Sequence, residues 1–146
     1  MTVLTKTQIK DLTALRHALH RRPEISGEEA MTAARIAQEL EALGADRIWR
    51  GFGGHGVAAE FAALEPGPTV LLRCELDGLP ILEISDLPHA SEVEGKWHLC
   101  GRDGHMVSLL GVATGLSRRP AKGRVILLFQ PDEETGAGAK AVIDDP

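Results

Sequence analysis

A layered α/β domain with a mostly parallel sheet is predicted by three features of the chain. Residues 68–74 and 124–130 are short, almost wholly apolar segments; stretches of helical period lie around them; and polar clusters follow directly on the apolar segments. Apolar segments of that length suit strands covered on both faces, and helices linking such strands make crossover connections the expected topology.

The first helix is predicted over residues 7–20, because Ile9, Leu12, Leu15 and Leu19 fall near one face of a 3.6-residue period and Pro23 bars continuation. A second helix is expected to begin at Ser26. Ser26 and Glu29 have capping-box spacing, Ala33, Ile36, Ala37, Leu40 and Leu43 supply the buried stripe, and Gly44 suits the position just past the end. Residues 56–63 and 68–74 read as strands, and the Leu64-Glu65-Pro66-Gly67 segment between them could close a hairpin. Residues 79–96 hold prolines and scattered charges without a period, the pattern of a long functional loop. A helix over 105–116 follows, burying Leu109, Leu110, Val112, Ala113 and Leu116; then come a strand over 124–130 and a helix over 136–143. Internal repeats and low-complexity segments are absent. Helices on both faces of the sheet are expected, an α/β/α arrangement. Since the chain stops at Pro146, one helix after its most polar cluster, residues 1–146 are expected to be one portion of a domain rather than all of it.

At 146 residues the chain can bury a real core. An apolar fraction of 43% with 25% charged residues is that of a soluble globular domain, and no apolar run could span a bilayer or act as a secretory core segment, so a cytoplasmic setting without membrane contact is expected. Sixteen basic against 21 acidic residues leave a net charge of −5 without a basic stripe or aromatic platform, which argues against nucleic acid as a partner. Two cysteines make no disulfide framework. Cys74, inside an apolar strand, reads as core; Cys100 is the candidate ligand.

The segment from His98 to His105 holds two imidazoles, the Cys100 thiol and the Asp103 carboxylate, and Asp132-Glu133-Glu134 follows the strand at 124–130. Asp77 follows the strand at 68–74. Ligands of open α/β sheets gather beyond the carboxyl ends of strands, so three distant segments are expected to meet at one sheet end. Thiolate, imidazole and carboxylate together suit a divalent ion, zinc or, where oxygen dominates, manganese. Adjacent glutamates can divide labour, one holding metal while the other takes a proton from water. The plainer alternative for the acidic run is complementing a helix dipole, and for His98 and His105 singly it is a hydrogen-bonded surface or capping role. His17, His20, His55 and His89 read as ordinary polar positions. Arg102 stands among the candidate ligands with a permanent charge, and guanidinium is not a ligand.

Four segments resemble, in order, the "LHxxPELS", "RADMDALPI", "HACGHDGH…LLG" and "FQPAEExGxGA" motifs of the metal-dependent amidohydrolases of the aminoacylase and carboxypeptidase G superfamily, which includes hippurate, N-acyl-amino-acid and indoleacetyl-amino-acid hydrolases. They are residues 19–26, 73–81, 98–111 and 128–136. The resemblance implies an α/β catalytic domain with an inserted lid domain commonly used for dimerisation, so that intact relatives form homo-oligomers. It also implies two divalent ions and attack of metal-activated water on the amide of an N-acyl amino acid or small peptide. On the same basis Cys100 and Glu134 match metal ligands and Glu133 the catalytic base, Asp77 matches an acidic residue beside the site, and Asp103 and His105 match motif positions of less defined role. The chain departs from the motifs at Arg102, where a histidine ligand is usual, and at Glu75, where aspartate is usual; the lid domain and the further histidine ligands are not within the sequence. The departure at Arg102 leaves a second reading open, a non-catalytic module with a degraded metal site in which Arg102 holds a substrate carboxylate. A thiol chemistry based on Cys100 is a third, lacking a defined base.

Overall fold

The computed structural model describes residues 4–145, so residues 1–3 and 146 of the expected 1–146 span lie outside the described residues. Four helices and four strands follow in the order α1 (Lys6–Arg21), α2 (Ala30–Ala42), β1 (Arg47–Phe52), β2 (Gly56–Ala62), β3 (Thr69–Glu75), α3 (Arg102–Leu116), β4 (Arg124–Gln130) and α4 (Gly138–Asp144). The strands form one sheet in the order β1-β2-β4-β3. The α/β class is as predicted, but the sheet is not mostly parallel. β1 pairs with β2 and β2 with β4 antiparallel, and only β3 and β4 run parallel.

Two local features produce that difference. Gly53 and Gly54 turn the chain between β1 and β2, so a hairpin forms ahead of the first predicted strand. β1 itself went unread because Arg47 and Arg50 break its apolar pattern, leaving Ile48, Trp49 and Phe52 without a clean alternation. The expected hairpin between β2 and β3 does not close, because β4 lies between them. Its connection must span two inter-strand spacings, about 10 Å, which residues 63–68 can do and a two-residue turn cannot. Glycine is required where this connection passes residue 123. The Gly123 backbone has φ +72°, and a Cβ there would lie 2.1 Å from the Pro68 carbonyl oxygen.

Helix α1 is held at its start by a capping box between Thr5 and Gln8. The box expected at Ser26 and Glu29 does not form, and α2 starts later. The Glu24 carboxylate accepts the amides of Met31 and Thr32 instead, Ser26 donates to Asp77, and Glu29 turns inward to accept the Asp132 amide. Those three residues are therefore used to tie the α2 entry to the loops at the sheet end. The end of α2 is as predicted: the amides of Gly44 and Ala45 close on the carbonyls of Glu41 and Leu40, a Schellman arrangement.

The core lies between α1, α2 and α3 and one face of the sheet. Val57, Ala59 and Phe61 alternate along β2 into it, joined by Leu127 and Phe129 of β4, Ile36 and Leu40 of α2, and Met106 and Leu110 of α3. The opposite face carries Trp49, Ala58, Leu71, Ile126 and Leu128, with Leu71 56% exposed. Helix α4 contacts β4 at the sheet end. Residues 76–101 contain no helix or strand beyond isolated bridges, as expected for the long loop. Among the described residues no helix is long and apolar enough to cross a membrane.

Truncating Phe129, fully buried at the centre of the sheet, is expected to lower unfolding free energy by about 3–5 kcal/mol, whereas Leu71→Ala on the open face should cost under about 1 kcal/mol. Urea unfolding of Phe129→Ala and Leu71→Ala at pH 7 measures the contrast.

Candidate functional site

The parallel pairing of β3 with β4 sets the site. Cys74 lies opposite Phe129 and Glu75 opposite Gln130, and the ladder continues through a bond from the Leu76 amide to the Gln130 carbonyl. Both strands therefore end at one level, and the residues that follow each emerge side by side. Asp77, wholly buried, accepts the Glu134 amide at 2.8 Å and the Ser26 hydroxyl at 2.8 Å on the same oxygen. Its other oxygen is buried without a hydrogen-bond partner. The loop bearing Glu133 and Glu134 is further fixed where Gly138 donates its amide to the Asp132 carbonyl. Any side chain at 138 would collide with the Pro131 carbonyl, 1.9 Å from where a Cβ would stand.

The third segment enters through α3, whose first residue is Arg102. Its guanidinium, with 14% of the side chain exposed, pairs with Glu133, lies 3.1 Å from Glu134 Oε1, and is 3.8 Å through Nε from Glu75 Oε2. Burial works against the charge, but Glu75, Glu133 and Glu134 outweigh it and raise the Arg102 pKa above its ordinary value. Cys100 is exposed, and its pKa is raised chiefly by the Glu134 carboxylate beside it, with desolvation adding to the effect. His105 Nδ1 lies 2.9 Å from Glu75 Oε2 on the exposed side of the cluster. The expected convergence thus occurs: Cys100, Arg102, His105, Glu133 and Glu134 meet, with Asp77 beneath them.

Asp103 and His98 lie away from this rim. Asp103 points into the protein, where one oxygen accepts from His20 Nδ1 at 2.9 Å and from Arg16 Nε at 3.0 Å. Burial raises its pKa, but the His20 hydrogen bond, the Arg16 charge and the Gly104 amide prevail and hold it low. His98 is 3% exposed and neither ring nitrogen has a hydrogen-bond partner. Desolvation, opposed in part by Asp103, pushes its pKa down to about 4.

Two groups escaped the sequence reading as site members. Glu75 belongs to the rim, and its place at the end of an apolar strand, two residues before Asp77, was the available signal. His20 is not an ordinary polar position: it is buried, bonded to Asp103, and takes the Trp97 indole N–H at 3.2 Å, with Glu83 3.3 Å from the same ring nitrogen. No sequence pattern links residues 20, 83, 97 and 103, so only the fold could reveal that network.

The donor types suit a divalent ion, but their arrangement does not fit a two-ion group. A guanidinium stands between the carboxylates, and among the described residues no three His, Cys, Asp or Glu side chains are grouped to hold a metal.

Comparison with known proteins places these features. The model of peptidase family M20/M25/M40 matches residues 71–146. The chain is 44% identical over 138 residues to an N-acetyl-L-cysteine deacetylase of Bacillus subtilis, covering 93% of this chain and 33% of that protein. It is 37% identical over 131 residues to a hippurate hydrolase of Campylobacter jejuni, covering 90% and 34%. Among solved structures, a Bacillus subtilis protein described as a dinuclear metal-binding peptidase of the M20 family superposes with a TM-score of 0.91 at 39% identity, covering 97% of this chain and 40% of that one. The chain spans about a third of the length of the curated relatives it matches.

His98 gives a pH dependence with a definite sign. Its folded pKa of about 4 lies below the ordinary 6.5, so between those values the unfolded chain binds the extra proton and stability falls as pH is lowered. Urea unfolding from pH 7 down to 4 should show a loss on the order of 2–3 kcal/mol from this group, and His98→Gln should flatten that part of the profile.

Proposed function

Since the chain belongs to peptidase family M20/M25/M40, we propose that it carries the reactive rim of an amidohydrolase acting on N-acyl amino acids or small peptides. The observation that carries this is the meeting of Glu133, Glu134 and Cys100, from segments more than thirty residues apart, at the common end of β3 and β4. Relatives named as deacetylases and hydrolases of acylated amino acids support the substrate class. A cytoplasmic setting, a small-molecule substrate and a homo-oligomeric intact protein belong to the same proposal.

Glu133 is the base in this scheme. It is the more exposed of the two adjacent glutamates, with a third of its side chain open to water, while Glu134 is held by its amide on Asp77 and faces the Cys100 thiol. A carboxylate so placed can take a proton from water attacking an amide carbonyl and return it to the leaving amine, a contribution of about 10²–10⁴ in rate. In this chain the Glu133 carboxylate is occupied by its pair with Arg102, so turnover is expected to be slow. Zinc or manganese is the ion class that sulfur and carboxylate would select if the guanidinium were absent.

The competing reading, in which Arg102 holds a substrate carboxylate, is disfavoured by charge. Three glutamates already face the guanidinium, so an incoming carboxylate meets a net negative surface.

The test is hydrolysis of N-acetyl and N-benzoyl amino acids by the full chain with added zinc or manganese, followed by amine release. Slow turnover that drops by about 10²–10⁴ in Glu133→Gln and rises in Arg102→His is expected. Turnover indifferent to Glu133→Gln, or absent in both the parent chain and Arg102→His, would count against the proposal.

A further inference from the structure

We propose, on the reading of this rim as the family's hydrolytic site, that Arg102 is a resident cation which takes the place of a metal ion and makes the chain refractory to divalent metal. A guanidinium inside a metal site could be accidental if it pointed to solvent. Here it is mostly buried and contacts the carboxylates of Glu75, Glu133 and Glu134, the last two of which the motif match assigns to base and ligand. The side chain is delivered there by the backbone, since Arg102 is the first residue of α3 and the following Asp103 is locked to His20 and Arg16 on the other side. The two neighbours act as opposed anchors, so α3 cannot turn Arg102 out without breaking the Asp103 bonds.

Two physical effects then exclude an ion. A divalent cation entering beside a fixed positive charge is repelled by it, the more so in a partly buried site. Displacing the guanidinium instead would strip a largely buried charge of its partners, which is strongly unfavourable. The same pairing explains how three carboxylates can share one sheet end without metal, because Arg102 offsets part of their mutual repulsion.

The test uses the full chain, stripped with chelator and titrated with zinc by calorimetry at pH 7, with bound metal then measured after gel filtration. Arg102→His and Arg102→Gln are expected to bind zinc on the order of 100-fold more tightly than the parent chain or Arg102→Lys, which keeps the charge. Zinc should raise the Tm of the first two variants and leave that of the parent and Arg102→Lys unchanged. Parent chain binding zinc within about threefold of Arg102→His, or neither neutral variant binding more tightly than Arg102→Lys, would overturn the inference. Since zinc uptake is read without substrate, loss of amide hydrolysis alongside these binding results would refute the proposed function alone.

Discussion

The parallel register between β3 and β4 is the constraint from which the rest of the molecule follows. It places Cys74 beside Phe129 and carries both strands to the same level, so Asp77 and the Glu133-Glu134 pair leave the sheet together. Asp77 makes that coincidence rigid. As a buried carboxylate it would be strongly disfavoured without partners, and it finds them in the Glu134 amide and the Ser26 hydroxyl, one from each flanking loop. Slipping β3 by one residue would turn Cys74 out of the core and Leu76 with it, and would take Asp77 from its two donors. Hydrophobic burial and polar satisfaction thus specify one register.

Much of this architecture was legible in the residue pattern, and the failures have identifiable causes. Helix α1, the end of α2, and β4 fall where periodicity and Gly44 place them, because in those segments local propensity and tertiary packing agree. The start of α2 was misplaced because the sequence offers two acidic residues with capping chemistry. Glu24 is the one that caps; Glu29 is drawn inward by the Asp132 amide, a partner 103 residues away that no local rule could weigh. Sheet direction was misread for a similar reason. Apolar strands with long connections suggest parallel pairing, yet β2 is fed by a hairpin from β1, and its antiparallel fit against β4 depends on Gly123 letting the 63–68 connection pass. At the rim, residue types announced the chemistry, and the segments do meet. Which charge prevails there was not readable, because it depends on where one side chain at the head of α3 is aimed.

Buried charge explains why the rim and the network behind it are arranged back to back. Asp103 and Arg102 are consecutive, yet the acid is enclosed by His20 and Arg16 while the base faces three glutamates. Exchanging their environments would leave an acid among acids and a base among cations. The alternation along the first turn of α3 therefore sorts the two charges into opposite compartments, and the helix dipole adds favourably to an acidic residue in that turn. His98, buried and with its pKa pushed down, adds two unpartnered ring nitrogens to this part of the interior.

The rim makes two separate demands on a cation. An ion held by carboxylates and a guanidinium held by the same carboxylates satisfy the same electrostatic need: each supplies positive charge where β3 and β4 deliver negative. Removing the charge leaves Glu75, Glu133 and Glu134 to repel one another in a half-buried space. Chemistry requires more, namely a cation with open coordination positions that can bind water and polarise it. Guanidinium meets the first demand and fails the second, having donors but no empty orbital for a lone pair. An arginine at position 102 therefore preserves the architecture that converging carboxylates need, while changing what that architecture can do to water.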